Sequence, residues 1–67
     1  MSTAPWKIYR KPAGKSGVTI EWWYDRHCRV WFTRVVDIDG NQLGESQQSA
    51  NKAGRNLDIR YYRKLYR

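Results

Sequence analysis

The chain has 67 residues and a formal net charge of +7, from 13 Lys and Arg against 6 Asp and Glu. That length makes one small domain and excludes a two-lobed enzyme; no run approaches the roughly 18 apolar residues of a membrane span, and no apolar stretch follows the first Met as a secretory leader requires. The single cysteine, Cys28, cannot close an internal disulfide and suits a reducing cytoplasm, while 40% hydrophobic and 15% aromatic residues argue against disorder.

Met1–Pro5 reads as a flexible tail. Trp6–Lys11 alternates Trp6, Ile8 and Arg10 against Lys7, Tyr9 and Lys11, the period of a strand. Pro12–Gly17 is a loop, because Pro stops the ladder and two glycines permit a turn. Val18–Tyr24 is rich in β-branched and aromatic residues and predicts a second strand. A short turn at Asp25–His27 leads into a long third strand, Cys28–Ile38. Pairing Tyr24 with Cys28 sets Trp22 against Val30 and Ile20 against Phe32. This register predicts a core face of Val18, Ile20, Trp22, Tyr24, Cys28, Val30, Phe32, Val36 and Ile38.

Asp39-Gly40 signals a two-residue hairpin turn, in which both central residues take positive φ. It sets Val36 opposite Leu43 and predicts a short fourth strand over Asn41–Glu45. Ser46 reads as a helix cap. Ala50, Ala53, Gly54, Leu57, Tyr61 and Leu65 then recur at helical spacing as the expected inner stripe, and Gly54 either weakens the helix or lets it lie close to the sheet. The helix ends between Ile59 and Lys64, although Leu57–Tyr61 also alternates and a terminal strand fits the same residues. The expected fold class is α+β: an antiparallel sheet of three to four strands with one C-terminal helix packed on one face. A chain this short buries only about 60% of its unfolded surface, so its four Trp, five Tyr and one Phe must supply the burial or a homodimer must add it.

The same register leaves Thr19, Glu21, Trp23, Arg29, Trp31, Thr33 and Val35 on the uncovered face, with Lys7, Tyr9 and Lys11 from the first strand. Exposed rings interleaved with cations suit nucleic acid, bases stacking on Trp23 and Trp31 and phosphates held by Lys7, Lys11 and Arg29. The ends of the chain are basic: residues 1–20 carry four cations and no acid, and residues 52–67 carry six cations and one acid. On a helix Arg60, Arg63 and Arg67 share one stripe with Lys64 at its edge, and Ile59, Tyr62 and Tyr66 lie beside it, a second grip for phosphate. A membrane-lying face would carry Leu and Phe where this one carries Tyr, so no membrane partner is expected.

Catalytic motifs fail on spacing. Gly14-Lys15-Ser16 lacks the Gly that a phosphate-binding loop needs five residues earlier, where Tyr9 stands. His27 and Cys28 are adjacent with no second ligand cluster, and neighbouring strand residues point to opposite faces. No general acid–base pair is readable. No enzyme activity, cofactor, metal or small-molecule substrate is expected.

From Arg29 to Ile59 the chain resembles the YegP-like family of small bacterial proteins of unknown function. Trp31, Gly40, Ser46, Lys52, Ala53 and Ile59 fall at that family's spacing, whereas Gln47, Ser49 and Asp58 depart from its usual Glu, aromatic and Gly. The resemblance implies a sheet-plus-helix fold and pairing of two units, within a chain or as a dimer, and carries no active site. A looser analogy links the architecture to the arm-binding domains of phage integrases, which lay a three-stranded sheet on DNA.

The leading expectation is a small basic nucleic-acid-binding module whose site comprises Lys7, Tyr9, Lys11, Trp23, Arg29, Trp31, Arg60 and Arg63. The competing expectation is a homodimerising or protein-interaction domain of phage-derived or regulatory role, in which Trp23, Trp31 and Val35 bury against a second copy or another protein.

Overall fold

The computed structural model describes residues 7–14 and 17–66. Along them run β1 (Tyr9–Pro12), β2 (Thr19–Asp25), β3 (Val30–Val36), β4 (Gln47–Ser49) and α1 (Lys52–Leu65). The strands form one antiparallel sheet in the order β1-β2-β3-β4, so β1 and β4 are its edges, and α1 packs on one face. The chain is therefore α+β, with a four-stranded sheet and a single C-terminal helix. Met1–Pro5, Trp6, the Lys15-Ser16 pair and Arg67 lie outside the described residues.

Turn chemistry sets the register. The Asp25 carboxylate accepts the backbone N–H groups of His27 (2.8 Å) and Cys28 (3.1 Å), and Arg29 closes the loop at φ 57°. The turn thus occupies residues 26–29, one residue longer than the expected Asp25–His27, and Asp25 pairs with Val30. Consequently Ile20 faces Val35, Trp22 faces Thr33, and Tyr24 faces Trp31. Successive strand residues alternate faces, so this odd shift turns all of β3 over. Val35, Thr33 and Trp31 point toward the helix, whereas Val30, Phe32 and Val36 point away; Val30 and Phe32, expected in the core, are half-buried, and Val36 is buried as expected but from the other face. Cys28, also expected inside, is exposed in the turn.

The second hairpin departs for a similar reason. The Asp37 carboxylate accepts the N–H groups of Asp39 and Asn41, both at 2.9 Å, and Gly40 N–H donates to the Asp37 carbonyl. Only Gly40 takes positive φ, 87°, so Ile38–Gly40 forms a three-residue loop and not the two-residue turn that Asp-Gly predicts. Val36 bridges Gln42 instead of Leu43, and Ile38 is 86% exposed rather than in the core. The expected Asn41–Glu45 strand shrinks to that bridge. Pairing resumes at β4, where Thr33 meets Gln47 and Trp31 meets Ser49.

The helix starts later than expected. Asn51, not Ser46, caps it, its side-chain oxygen accepting from Gly54 N–H at 2.9 Å. From Lys52 to Asp58 no β-branched residue interrupts it, and Arg63 and Lys64 complement the dipole in the last turn. A Cβ added to Gly54 would lie 3.2 Å from the Ser49 Cβ, so its missing side chain lets α1 approach β4 closely. The Ser49 hydroxyl donates to the Asp58 carboxylate and ties the two elements together.

Ala13, Val18, Ile20, Val35 and Tyr62 form the core, bordered by Trp22, Leu43, Ile59 and Tyr66. Tyr62 is the buried residue of the helix, and its hydroxyl donates to the Glu45 carbonyl at 3.1 Å. The inner stripe is therefore Arg55, Ile59, Tyr62 and Tyr66. Of the expected stripe Gly54 does lie against β4, but Leu57, Tyr61 and Leu65 turn outward, 64%, 59% and 55% exposed.

Thr33 is fully buried, and its hydroxyl has no hydrogen-bond partner among the described residues. A buried hydroxyl without a partner costs about 1–3 kcal/mol. Thr33→Val keeps the shape and removes that cost. It is expected to raise the thermal midpoint by roughly 4–8 °C, as 1 kcal/mol does in a domain this size. A midpoint unchanged or lowered in a scanning-calorimetry comparison defeats the expectation.

Candidate nucleic-acid interface

Two aromatic-basic surfaces are present, one on each face of the sheet. On the face away from the helix, Trp23 stacks on Phe32 with centroids 5.7 Å apart and planes 22° apart. The Arg34 guanidinium lies 5.2 Å from the Trp23 ring centre. Beside them Glu21 is held between two arginines. Its Oε2 accepts from Arg10 Nε at 2.7 Å and its Oε1 from Arg34 Nε at 2.8 Å. Burial pushes the Glu21 carboxyl up, but the hydrogen bonds and charges of Arg10 and Arg34 outweigh it and hold the carboxyl below its ordinary value. Both guanidiniums donate to that one carboxylate, so the trio keeps a net charge of only about +1 and its donors are partly used, which leaves this face less to offer a phosphate than the helix side.

The helix side differs. The β1–β2 register puts Tyr9 opposite Trp22 and Lys11 opposite Ile20, so Tyr9 and Lys11 share the face that carries Trp22, Tyr24 and Trp31. Tyr9 stacks on Trp22 at 5.8 Å and 11°, and Tyr24 meets Trp31 edge-on at 5.3 Å and 61°. Lys7 Nζ lies 4.8 Å from the Tyr9 ring centre, and the Arg55 guanidinium lies 4.4 Å from that of Trp31. The helix covers β3 and β4 more than β2, which leaves these rings partly open.

Two hollows open on this side. Lys7, Tyr9, Tyr24, Arg26 and Trp31 line one of about 200 Å³. Gly14, Arg60, Arg63 and Lys64 line another of about 270 Å³, between the β1–β2 loop and the last turns of the helix. Among the described residues neither lining includes an acid. The six acids lie elsewhere: Glu21 on the far face, Asp25 and Asp37 in their turns, Asp39 and Glu45 in loops, and Asp58 bonded to Ser49.

The expected site residues therefore divide. Lys7, Tyr9, Lys11, Trp31, Arg60 and Arg63 fall on the helix side, while Trp23 sits on the opposite face under Arg34. Trp23 and Trp31 do not share a surface, because the longer β2–β3 turn inverted β3 alone. Arg29 is exposed in the turn and lines neither hollow. Tyr24 and Trp22, expected as core, belong to the ring row, and Arg26 and Arg55 were not anticipated. Arg55 was findable: it lies seven residues before Tyr62, on the stripe that Ile59, Tyr62 and Tyr66 define at helical spacing. Arg26 depends on the turn length, which the residues alone left at three.

No helix among the described residues is long and apolar enough to cross a membrane. Comparison with known protein families, with curated proteins and with solved structures finds no match for this chain.

Proposed function

We propose that this domain is a nucleic-acid-binding module whose contact surface is the helix side of the sheet, from the rings beside β1 to the last turns of α1. The observation that supports this reading is convergence. Cations from β1 and its approach (Lys7, Lys11), from the β2–β3 turn (Arg26) and from the helix (Arg60, Arg63, Lys64) gather on the side that carries Tyr9, Tyr24 and Trp31. Phosphates occupy the Arg60–Arg63–Lys64 hollow and the margin of β1, and base faces reach the rings. The binding itself needs no cofactor and makes or breaks no covalent bond.

The test is fluorescence anisotropy of a labelled oligonucleotide titrated with protein at several salt concentrations. If about five phosphates are neutralised, log K falls against log salt with a slope of roughly −4.5 on duplex or −3.5 on single strand. Arg60→Ala with Arg63→Ala lowers that slope by nearly two. A slope near −1, or one the double variant leaves unchanged, rules the reading out.

A second reading, self-association, has its own observation. Leu57, Tyr61 and Leu65 form an exposed apolar stripe at helical spacing. It replaces the dimer surface expected at Trp23, Trp31 and Val35, since Val35 is fully buried within the domain. Light scattering on the same samples separates the two: a dimer that Tyr61→Glu dissociates, with the anisotropy flat, favours self-association.

A further inference from the structure

We infer that this surface selects single-stranded nucleic acid over duplex, taking one unstacked base into the hollow walled by Tyr9, Tyr24 and Trp31. The inference rests on the nucleic-acid reading above and specifies its ligand.

Tyr24 and Trp31 meet edge-on, at 61°, so only one of the two rings turns a face to the other, and Arg55 takes one face of Trp31; the pair leaves more ring face open than a parallel stack would. The hollow they share with Tyr9 measures about 200 Å³, below the 300 Å³ at which drug-sized pockets begin and suited to one planar heterocycle. Lys7 and Arg26 share the lining, with no acid among the described residues, so a base that enters brings its phosphates near two cations.

A duplex cannot use such a site without melting. Its base faces are stacked and only base edges and phosphates are presented. A single strand presents both faces and backbone, and stacking on aromatic rings is the sequence-tolerant part of its recognition. Among the described residues the second hollow is lined by Gly14, Arg60, Arg63 and Lys64, with no aromatic ring. It supplies phosphate contacts that either form of nucleic acid can use. Selectivity then belongs to the ring hollow, and general affinity to the basic one.

Competition anisotropy tests this with a labelled 12-nucleotide mixed-sequence single strand and the same sequence as a duplex, at matched low salt. Single strand is expected to bind at least tenfold tighter. Trp31→Ala is expected to weaken single-strand binding by roughly 5- to 100-fold, the worth of one stacked base, while leaving duplex binding and the salt slope unchanged. Trp31→Phe, which keeps a ring, is expected to restore most of the loss. Tyr24→Ala, at a more exposed position, gives the same pattern with less risk to folding, and circular dichroism checks both variants. Equal or tighter duplex binding, or a Trp31→Ala loss shared equally by both forms, overturns the single-strand inference and leaves the nucleic-acid reading standing. Absence of binding to either form at low salt overturns both.

Discussion

Tyr62→Ala is expected to remove about 3–5 kcal/mol of stability, the largest loss of any single substitution considered. Tyr62 is 5% exposed and packs against Ala13, Val18, Ile20 and Val35, so it joins the helix to the sheet. Truncating a buried aromatic costs about 3–5 kcal/mol. At about 0.05–0.15 kcal/mol per residue, a chain of this length has only some 3–10 kcal/mol in total. One side chain thus carries a large share of the stability. Urea denaturation followed by far-ultraviolet circular dichroism measures it. Tyr62→Phe retains the ring and gives up the hydrogen bond to the Glu45 carbonyl, a loss of about 1 kcal/mol. Tyr61→Ala, one residue away, is expected to change stability by less than about 0.5 kcal/mol, because that ring is largely exposed. Equal costs at positions 61 and 62 contradict the stripe through Ile59, Tyr62 and Tyr66. Alkaline titration gives a further check. Burial is the main cause that raises the Tyr62 hydroxyl above its ordinary value of 10.0. Its contribution is therefore complete below that pH and is lost as pH climbs through the folded value.

Glu21→Gln is the second large effect, and it has a pH signature. In the native chain Glu21 is buried and satisfied by Arg10 on one oxygen and Arg34 on the other. Removing the charge leaves two guanidiniums facing a neutral amide. A fully buried pair broken this way loses about 3–5 kcal/mol. Here Arg10 is more than half exposed and Arg34 a third exposed, so water recovers part of the loss and about 1–2 kcal/mol is expected. The carboxyl is held below its ordinary value of 4.5. Its stabilisation is present above pH 4.5 and disappears as the pH falls through the lower, folded value. Thermal midpoints measured between pH 7 and pH 2.5 should fall steeply in the parent protein and less steeply in the variant. Asp37 keeps some slope in both, since hydrogen bonds led by the Asn41 N–H also lower its carboxyl. Superimposable acid limbs in the two proteins refute the assignment.

The residues reveal the architecture more readily than the side each residue faces. Alternation and β-branching locate β2 and β3, and the final basic segment declares its helix, because these signals are local and repeat over several residues. Facing is decided by turn length, and turn length hangs on single hydrogen bonds. The Asp25 and Asp37 carboxylates each gather backbone amides two to four residues ahead, which lengthens both loops relative to their shortest closures. One residue at Asp25 is enough to invert β3. It moved Trp31 under the helix side and brought Phe32 out to Trp23. The helix stripe was ambiguous for a different reason. Leu57, Tyr61 and Leu65 are as regularly spaced as Ile59, Tyr62 and Tyr66, and tyrosine ranks between core and surface. The Glu45 carbonyl favours Tyr62, a partner far away in sequence that periodicity does not reveal.

The edges of the sheet bear on a property separate from binding. Thr19–Tyr24 and Val30–Val36 are the kind of aromatic and β-branched segments that assemble into fibrils when another chain can add to them. In the folded domain they occupy the two central positions of the sheet and pair on both sides. The margins belong to β1, where Arg10 and Lys11 precede Pro12, and to β4, which is only three residues long. Charge, proline and brevity all discourage strand addition. Fibril growth from this protein thus requires the sheet to open first, and the rate at which a sample aggregates reports its unfolded fraction, not its concentration of native rings.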